Sequence, residues 1–217
     1  MSLIKRKARP IKRDKTTLRD DRLFIIACDD TYAPHQYFSF LCIPRIQVHV
    51  VPTTDGTSSA GPVLERLLQF EHDDDDELWL LLDTDHYTKK RHIKKFITTI
   101  KKAKQKGVKI ALSKPCFELW LLLHHVKAPS VRSLANATEV ERQFRATLKE
   151  FNKKRLKSKH YPPDLISHAI KEAEELDRVT NGEDIPDINT SRVYLLLKAI
   201  ISKALPSQLP PSLAKTK

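Results

Sequence analysis

LWLLLDTDHY, residues 78–87, decides the fold: five apolar residues in a row, Leu78 to Leu82, run straight into Asp83, Thr84 and Asp85. So short and unbroken an apolar run reads as a strand buried on both faces, as in parallel sheets, and the acids after it put polar chemistry at that sheet's carboxyl edge. Downstream, Ile93, Phe96, Ile97, Ile100 and Ala103 follow at helical spacing, with Lys94, Lys95, Lys101, Lys102 and Lys104 filling the positions between. Gly107 is placed to end this helix, and Val108 to Leu112 forms the next strand. Upstream, Leu23 to Ala27 is a second continuous apolar run, and Ile46, Val48 and Val50 alternate with polar neighbours. Tyr37, Phe38 and Leu41 mark a helix between those two strands. Val63, Leu64, Leu67 and Leu68 mark another, beginning near Pro62, which suits a first-turn position.

Strands alternating with helices in this order make a mostly parallel sheet covered on both faces, because parallel neighbours need a crossover helix. The reading is an α/β core over residues 21–125, preceded by a basic flexible arm at 1–20. Beyond residue 125, apolar positions recur at helical spacing around 138–152, 164–178 and 191–204, which predicts a C-terminal helical extension of the same domain over 126–217. The run from Glu71 to Glu77, charged at every position except His72, reads as a solvated loop before the third strand, since consecutive carboxylates repel and lack fixed geometry.

The chain has 217 residues, 40% of them hydrophobic and 30% charged, which is ordinary for a soluble globular protein. No apolar run approaches the roughly 20 residues of a membrane span. MSLIKRKARPIKRDK at the start has the charge of a signal peptide without its apolar segment, so the expected location is the cytoplasm, with no membrane partner. Cys28, Cys42 and Cys116 are odd in number and far apart, and are expected to be reduced core residues rather than a disulfide or zinc site.

A formal net charge of +12 points to a polyanionic partner, because clustered Lys and Arg release phosphate counterions on binding. Residues 1–20 hold eight basic and two acidic side chains, 88–110 hold ten basic and no acidic ones, and 149–159 hold six basic and one acidic. The bland alternative is a set of solvated helix faces with a basic tail. The absence of any acid from 88–110 favours nucleic acid, with Lys89, Lys90, Arg91, Lys94, Lys95, Lys101 and Lys114 as the candidate phosphate-binding residues.

In an open parallel sheet, ligands collect beyond the carboxyl ends of the strands. The first strand ends in Cys28, Asp29 and Asp30, and the third in Asp83, Thr84 and Asp85. After the fourth come Ser113, Lys114, Pro115 and Cys116, then a helix carrying Glu118 in its first turn. This order predicts Asp29, Asp83, Asp85 and Glu118 around one space. Such a set suits a hard divalent ion, Mg2+ or Mn2+, and phosphoryl-transfer chemistry. Singly, each acid has a plainer reading: Asp30 as a turn residue, Asp85 as a cap for the Lys-rich helix, Glu118 as a partner of its own helix dipole. His124 and His125, being adjacent, lack metal-ligand spacing on a helix and read as structural or substrate-contacting.

Several motifs together resemble one family. SKPCFELWLLLH, Ser113 to His124, closely resembles a stretch typical of the RloB family, which also includes the abortive-infection protein AbiLii. In the same order, ACDD with QYF at Gln36 to Phe38, TDGTSS at Thr54 to Ser59, LLDTDHY at Leu81 to Tyr87 and INTSRVYLLL at Ile188 to Leu197 are similar to further family elements, so the resemblance spans roughly residues 20 to 200. It implies a Toprim-like fold with an acid after the first strand, a DxD pair after the third, and magnesium or manganese supporting strand cleavage. It also implies a partner, an AAA-type ATPase of the RloA or AbiLi type in an antiphage system. Asp29 then takes the place of the family's first glutamate, Asp83 and Asp85 form the pair, and Glu118 is the acid of the FELW helix. The chain departs from the pattern at Asp30, where the family has glycine, and at Ala33 and Pro34, where it has a Thr-Glu pair.

Two functions follow from this reading. The first is a metal-dependent nuclease effector acting on RNA or DNA with an AAA-type ATPase, with catalytic Asp29, Asp83, Asp85 and Glu118, the first three binding metal. The alternative, kept open by the altered first acidic motif, is a catalytically degenerate nucleic-acid-binding or regulatory subunit of the same system. The sequence leaves a homo-oligomeric state open.

Overall fold

A computed structural model describes residues 22–53, 58–85, 87, 92–180 and 184–216. The basic arm at 1–20, Thr54 to Thr57, His86, and Lys89, Lys90 and Arg91 lie outside the described residues. The elements run β1 (Arg22–Cys28), α1 (Ala33–Ser39), β2 (Ile46–Val50), α2 (Ala60–Gln69), β3 (Glu77–Asp83), α3 (Ile93–Gln105), β4 (Lys109–Lys114) and α4 (Phe117–Leu122). They continue with α5 (Ala137–Thr147), α6 (Pro163–Asp177), β5 (Thr190–Ser191), α7 (Val193–Lys203) and α8 (Pro211–Ala214). The fold is α/β: a five-stranded sheet of order β2-β1-β3-β4-β5, parallel except for the antiparallel β5, flanked by helices and consistent with a Toprim-like fold.

The two-residue alternation of each strand divides the core between two layers. Phe24, Ile26 and Cys28 of β1 and Trp79 and Leu81 of β3 face one layer, where they meet α1, α4, α5, α6 and α7. Ile25 and Ala27 of β1 and Leu78, Leu80 and Leu82 of β3 face the other, under α2 and α3. β1 and β3, adjacent in the middle of the sheet, are buried on both sides, which is why they read as unbroken apolar runs.

Helix α3 shows how locally the sequence acts. Phe96, Ile100 and Ala103 are buried, whereas Ile97 is partly exposed at the rim of the stripe. The helix ends in a Schellman motif: the Val108 N–H donates to the Ala103 carbonyl and the Gly107 N–H to the Lys104 carbonyl. Gly107 takes φ +74°, which a side chain would disfavour.

Two expectations need correction. Cys28 and Cys116 are buried, but Cys42 is exposed, because it turns outward in the loop after α1 while Ile43 turns in. The C-terminal region is also not wholly helical. Thr190 and Ser191 pair with Lys114 and Ser113 as β5, and the two serine hydroxyls meet at 2.9 Å. Polar residues from Ile188–Leu197 secure this pairing. Asn189 donates to the Val131 and Leu134 carbonyls, while Arg192 and Tyr194 both bond the Asp177 carboxylate.

Candidate metal and nucleic-acid site

β1 and β3 run parallel and adjacent, so their last residues reach the same edge of the sheet. The Asp29 carboxylate, just past β1, accepts the backbone N–H of Asp83 at 3.0 Å. The chain after β3 is then laced to the loop between β4 and α4. Thr84 N–H donates to the Ser113 and Pro115 carbonyls, at 3.0 and 3.2 Å, and Asp85 N–H donates to the Pro115 carbonyl at 3.1 Å. Three residues after Pro115, Glu118 sits in the first turn of α4. These short tethers bring Asp29, Asp83, Asp85 and Glu118 into the wall of one recess of about 370 Å³, together with Asp30 and Lys153. A larger cavity of about 650 Å³, walled by Trp79, Ile110, Tyr194 and Leu195, contains none of the four acids.

The electrostatics of the recess are those of crowded, poorly hydrated carboxylates. Burial pushes the Asp29 carboxyl up to about 8; hydrogen bonds from the backbone oppose the rise, and the charges of Asp30 and Asp85 add to it. Asp83 is likewise driven well above the carboxylate range, first by burial and then by Asp29, Glu118 and Asp85. The same surroundings push the Cys28 and Cys116 thiols up, so neither is poised as a thiolate nucleophile.

Asp30 has the turn role its plainer reading gave it: its Oδ1 accepts the N–H groups of Tyr32 and Ala33 at the start of α1. The acids in the recess wall offer oxygen donors, which fits a hard divalent cation, while Cys116 in the same wall keeps its thiol protonated. Among the described residues, no three His, Cys, Asp or Glu side chains are already drawn into a ligand set, so such an ion would gather these carboxylates by side-chain rotation.

Sequence reasoning singled out no individual residue of 149–159 and missed Lys153. Its ammonium lies 3.4 Å from Glu118 and 3.8 Å from Asp30. Burial pulls its pKa down, but the two acids more than offset this and leave it raised. The Gln36 side chain fixes the loop that carries it, donating to the Lys153 carbonyl and accepting the Leu156 N–H. The only sequence clue was the density of positive charge at 149–159.

The other candidate cations are placed differently. Lys94, Lys95 and Lys101 are exposed on α3, in the layer opposite the one that supplies α4 and α5 to the recess. Lys94 and Lys95 lie in the first turn, near the carboxyl edge, whereas Lys101 is roughly 10 Å further along the helix axis. Lys114 holds the Pro186 and Asp187 carbonyls. His124 is a core residue: it is fully buried, with Nδ1 bonded to the Trp120 carbonyl and Nε2 accepting from the Tyr37 hydroxyl. Burial lowers its pKa to about 3, so it stays neutral.

No helix among the described residues is long and apolar enough to cross a membrane. A family model described as RloB-like protein matches residues 24–200. No curated protein and no solved structure matches the chain.

Proposed function

The chain belongs to the RloB-like family, and from that premise we propose that it is a metal-dependent nuclease effector of an antiphage, abortive-infection system, acting on RNA or DNA beside an AAA-type ATPase. The observation that carries this reading is the meeting of four acids from β1, β3 and α4 around one recess, two of them held above the normal carboxylate range by burial and like charge. A protein that buries carboxylates together leaves a deficit of positive charge that a divalent cation corrects.

Asp29, Asp83 and Asp85 are the residues that would hold Mg2+ or Mn2+, with Glu118 completing the ring. The ion supplies Lewis-acid polarisation of a phosphodiester and a more acidic bound water. The Asp83 N–H gives the Asp29 carboxylate a backbone partner, and the loop bonds to Pro115 fix the backbone of Asp85, so an ion would have to turn side chains and not move the sheet edge. Without the ion Asp29 retains a proton up to about pH 8, and ligation would displace that proton. Lys94 and Lys95, with Lys101 behind them, are suited to outer phosphates of a bound strand.

A second reading rests on Lys153. An ammonium already beside Glu118 and Asp30, in a chain whose first acidic motif is altered, suits a degenerate subunit that binds nucleic acid and regulates its ATPase without cutting. Cleavage assays on tRNA, single-stranded RNA and duplex DNA, with and without the ATPase, test the two. The nuclease reading expects cutting that requires Mg2+ or Mn2+ and disappears with Asp83→Ala. Binding without cutting under every condition would leave the regulatory reading.

A further inference from the structure

Tyr32 is 46% exposed, an unusual position for an aromatic ring, and it lines the acidic recess. Beside it lies the loop after α5. Lys154 and Arg155 are exposed there, and the Lys154 ammonium stands over the Tyr32 ring, 5.3 Å from its centre. One side chain ties ring and loop together. The Gln36 Nε2 donates to the Tyr32 carbonyl at 2.9 Å and to the Lys153 carbonyl at 3.0 Å, while its Oε1 accepts the Leu156 N–H at 2.9 Å. All the hydrogen-bonding capacity of one amide, apart from a lone pair, is spent on joining the backbone that carries the Tyr32 ring to the backbone that carries the cations at the mouth of the recess. Asn152 turns the loop by accepting the Lys154 N–H.

We propose that this surface is a built platform for single-stranded nucleic acid: an unpaired base stacks on Tyr32, and the flanking phosphates lie against Lys153, Lys154 and Arg155. The inference rests on the reading of the recess as a phosphodiester site and names the form of its substrate. Stacking on an exposed aromatic beside a basic strip is the general way proteins hold single strands, because every base offers a flat face. Among the described residues, Lys154 is kept over the ring only by a solvent-exposed cation–π contact, so it can move to a phosphate when a base arrives. A duplex fits poorly. Its bases have both faces covered by neighbours, and it is stiff over about 150 base pairs, whereas Asp29 and Asp83 are each only 9% exposed at the back of the recess. A phosphate reaches them only on a strand free to bend inward.

The arrangement also assigns charge differently from the Lys-rich helix. α3 belongs to the opposite layer, whereas Lys153 is in the recess itself and Lys154 beside its rim. Gln36 acts as a positioning residue here, since it reaches the strand only through Tyr32 and the loop.

The test is fluorescence anisotropy with labelled single-stranded 12-mers of RNA and of DNA, and with the matching duplexes, in calcium and in EDTA. Wild type should bind at least one single strand roughly tenfold tighter than its duplex. Tyr32→Ala should weaken single-strand binding about tenfold, while Tyr32→Phe stays within about twofold, because stacking needs the ring and not the hydroxyl. Lys154→Ala combined with Arg155→Ala should reduce the salt slope by about 1.4, for two contacts at about 0.7 each. Gln36→Ala, which loosens both Tyr32 and the basic loop, should weaken the same single strand and lower the salt slope by no more than the double loop variant does, and Lys171→Ala, on the exposed face of α6, should change neither quantity. Thermal unfolding confirms that each variant is folded. Equal or tighter duplex binding, or unchanged binding in folded Tyr32→Ala, overturns the platform. Single-strand binding with these properties but no cleavage supports the platform and defeats the nuclease reading, whereas cleavage indifferent to Tyr32 and the loop does the reverse.

Discussion

Asp29 reaches across from the end of β1 to accept the backbone N–H of Asp83 at the end of β3, at 3.0 Å, so one carboxylate both lines the recess and closes the sheet edge. The two roles separate on mutation. Asp29→Asn keeps an oxygen acceptor for that N–H and should fold near wild type while losing metal-dependent cleavage. Asp29→Ala strands a buried donor, at a cost of about 1–3 kcal/mol, offset in part by relief of carboxylate crowding. Calorimetry of the two variants against a cleavage assay checks this; a folded Asp29→Asn that still cleaves would remove Asp29 from the chemistry.

Asp83→Ala is expected to abolish metal-dependent cleavage while the metal-free protein stays folded. The side chain is buried, so the mildness of surface substitutions is not the reason. Asp83 is instead the acid most crowded by other acids, and removing it takes a costly like charge out of a dry site. The melting temperature of the EDTA-treated variant should equal or exceed that of wild type. A large fall would make Asp83 a structural residue.

The crowding also sets a pH dependence. In the folded protein Asp29 rises from about 3.8 to about 8. A carboxyl raised on folding contributes stability that is fully present below its unfolded pKa and lost as pH climbs towards its folded one, because the native state retains a proton the unfolded chain has released. The buried histidines, His124 foremost, are shifted downward and act below about pH 6.5. Between about pH 6.5 and 8, then, unfolding free energy without metal should fall, by at most about 1.4 kcal/mol per pH unit for each proton. Urea titrations at both ends of that window should show the fall in wild type and a shallower one in Asp83→Asn. Equal slopes would mean that the acids do not interact.

Divalent cations should act in the opposite sense. Mg2+ or Mn2+ at 100 times its dissociation constant stabilises by about 2.7 kcal/mol, and at one fixed metal concentration the gain should be larger near pH 8 than near pH 6.5, because the ion has fewer protons to displace from Asp29. The combined Asp29→Asn and Asp83→Ala protein should show no gain at either pH. A metal-induced rise in melting temperature that survives both changes would place the ion elsewhere.

Charge reversal at Lys94, Lys95 and Lys101 together should weaken nucleic-acid binding across sequences, since backbone contacts carry little base information. The loss should be smaller than that from reversing Lys154 and Arg155, which stand nearer the recess. Binding isotherms at two salt concentrations decide, and an unchanged affinity in the triple variant would take α3 off the binding surface.

Four of the five strands, and the carboxyl ends of β1 and β3, were legible along the chain. Leu23 to Ala27 and Leu78 to Leu82 read as strands covered on both faces and Gly107 as the stop of α3, and both readings hold in the structure, because short apolar runs and backbone freedom act within a few residues. Parallel pairing then carries whatever follows β1 and β3 to one edge, which is why Asp29, Asp83 and Asp85 were legible as a group. Only the tertiary structure decided what faces them. Lys153 lies 117 residues along the chain from Gln36, whose amide binds its carbonyl, and no local pattern encodes a contact so distant in sequence. β5 escaped notice for the same reason: two residues are too few for a period, and Ser191 becomes a strand only by pairing with Ser113. Likewise Lys94, Lys95 and Lys101 advertised a surface that the fold set on α3, in the layer opposite the recess. Charge density can be read along a chain, but the face it occupies is fixed by which apolar stripe the core accepts.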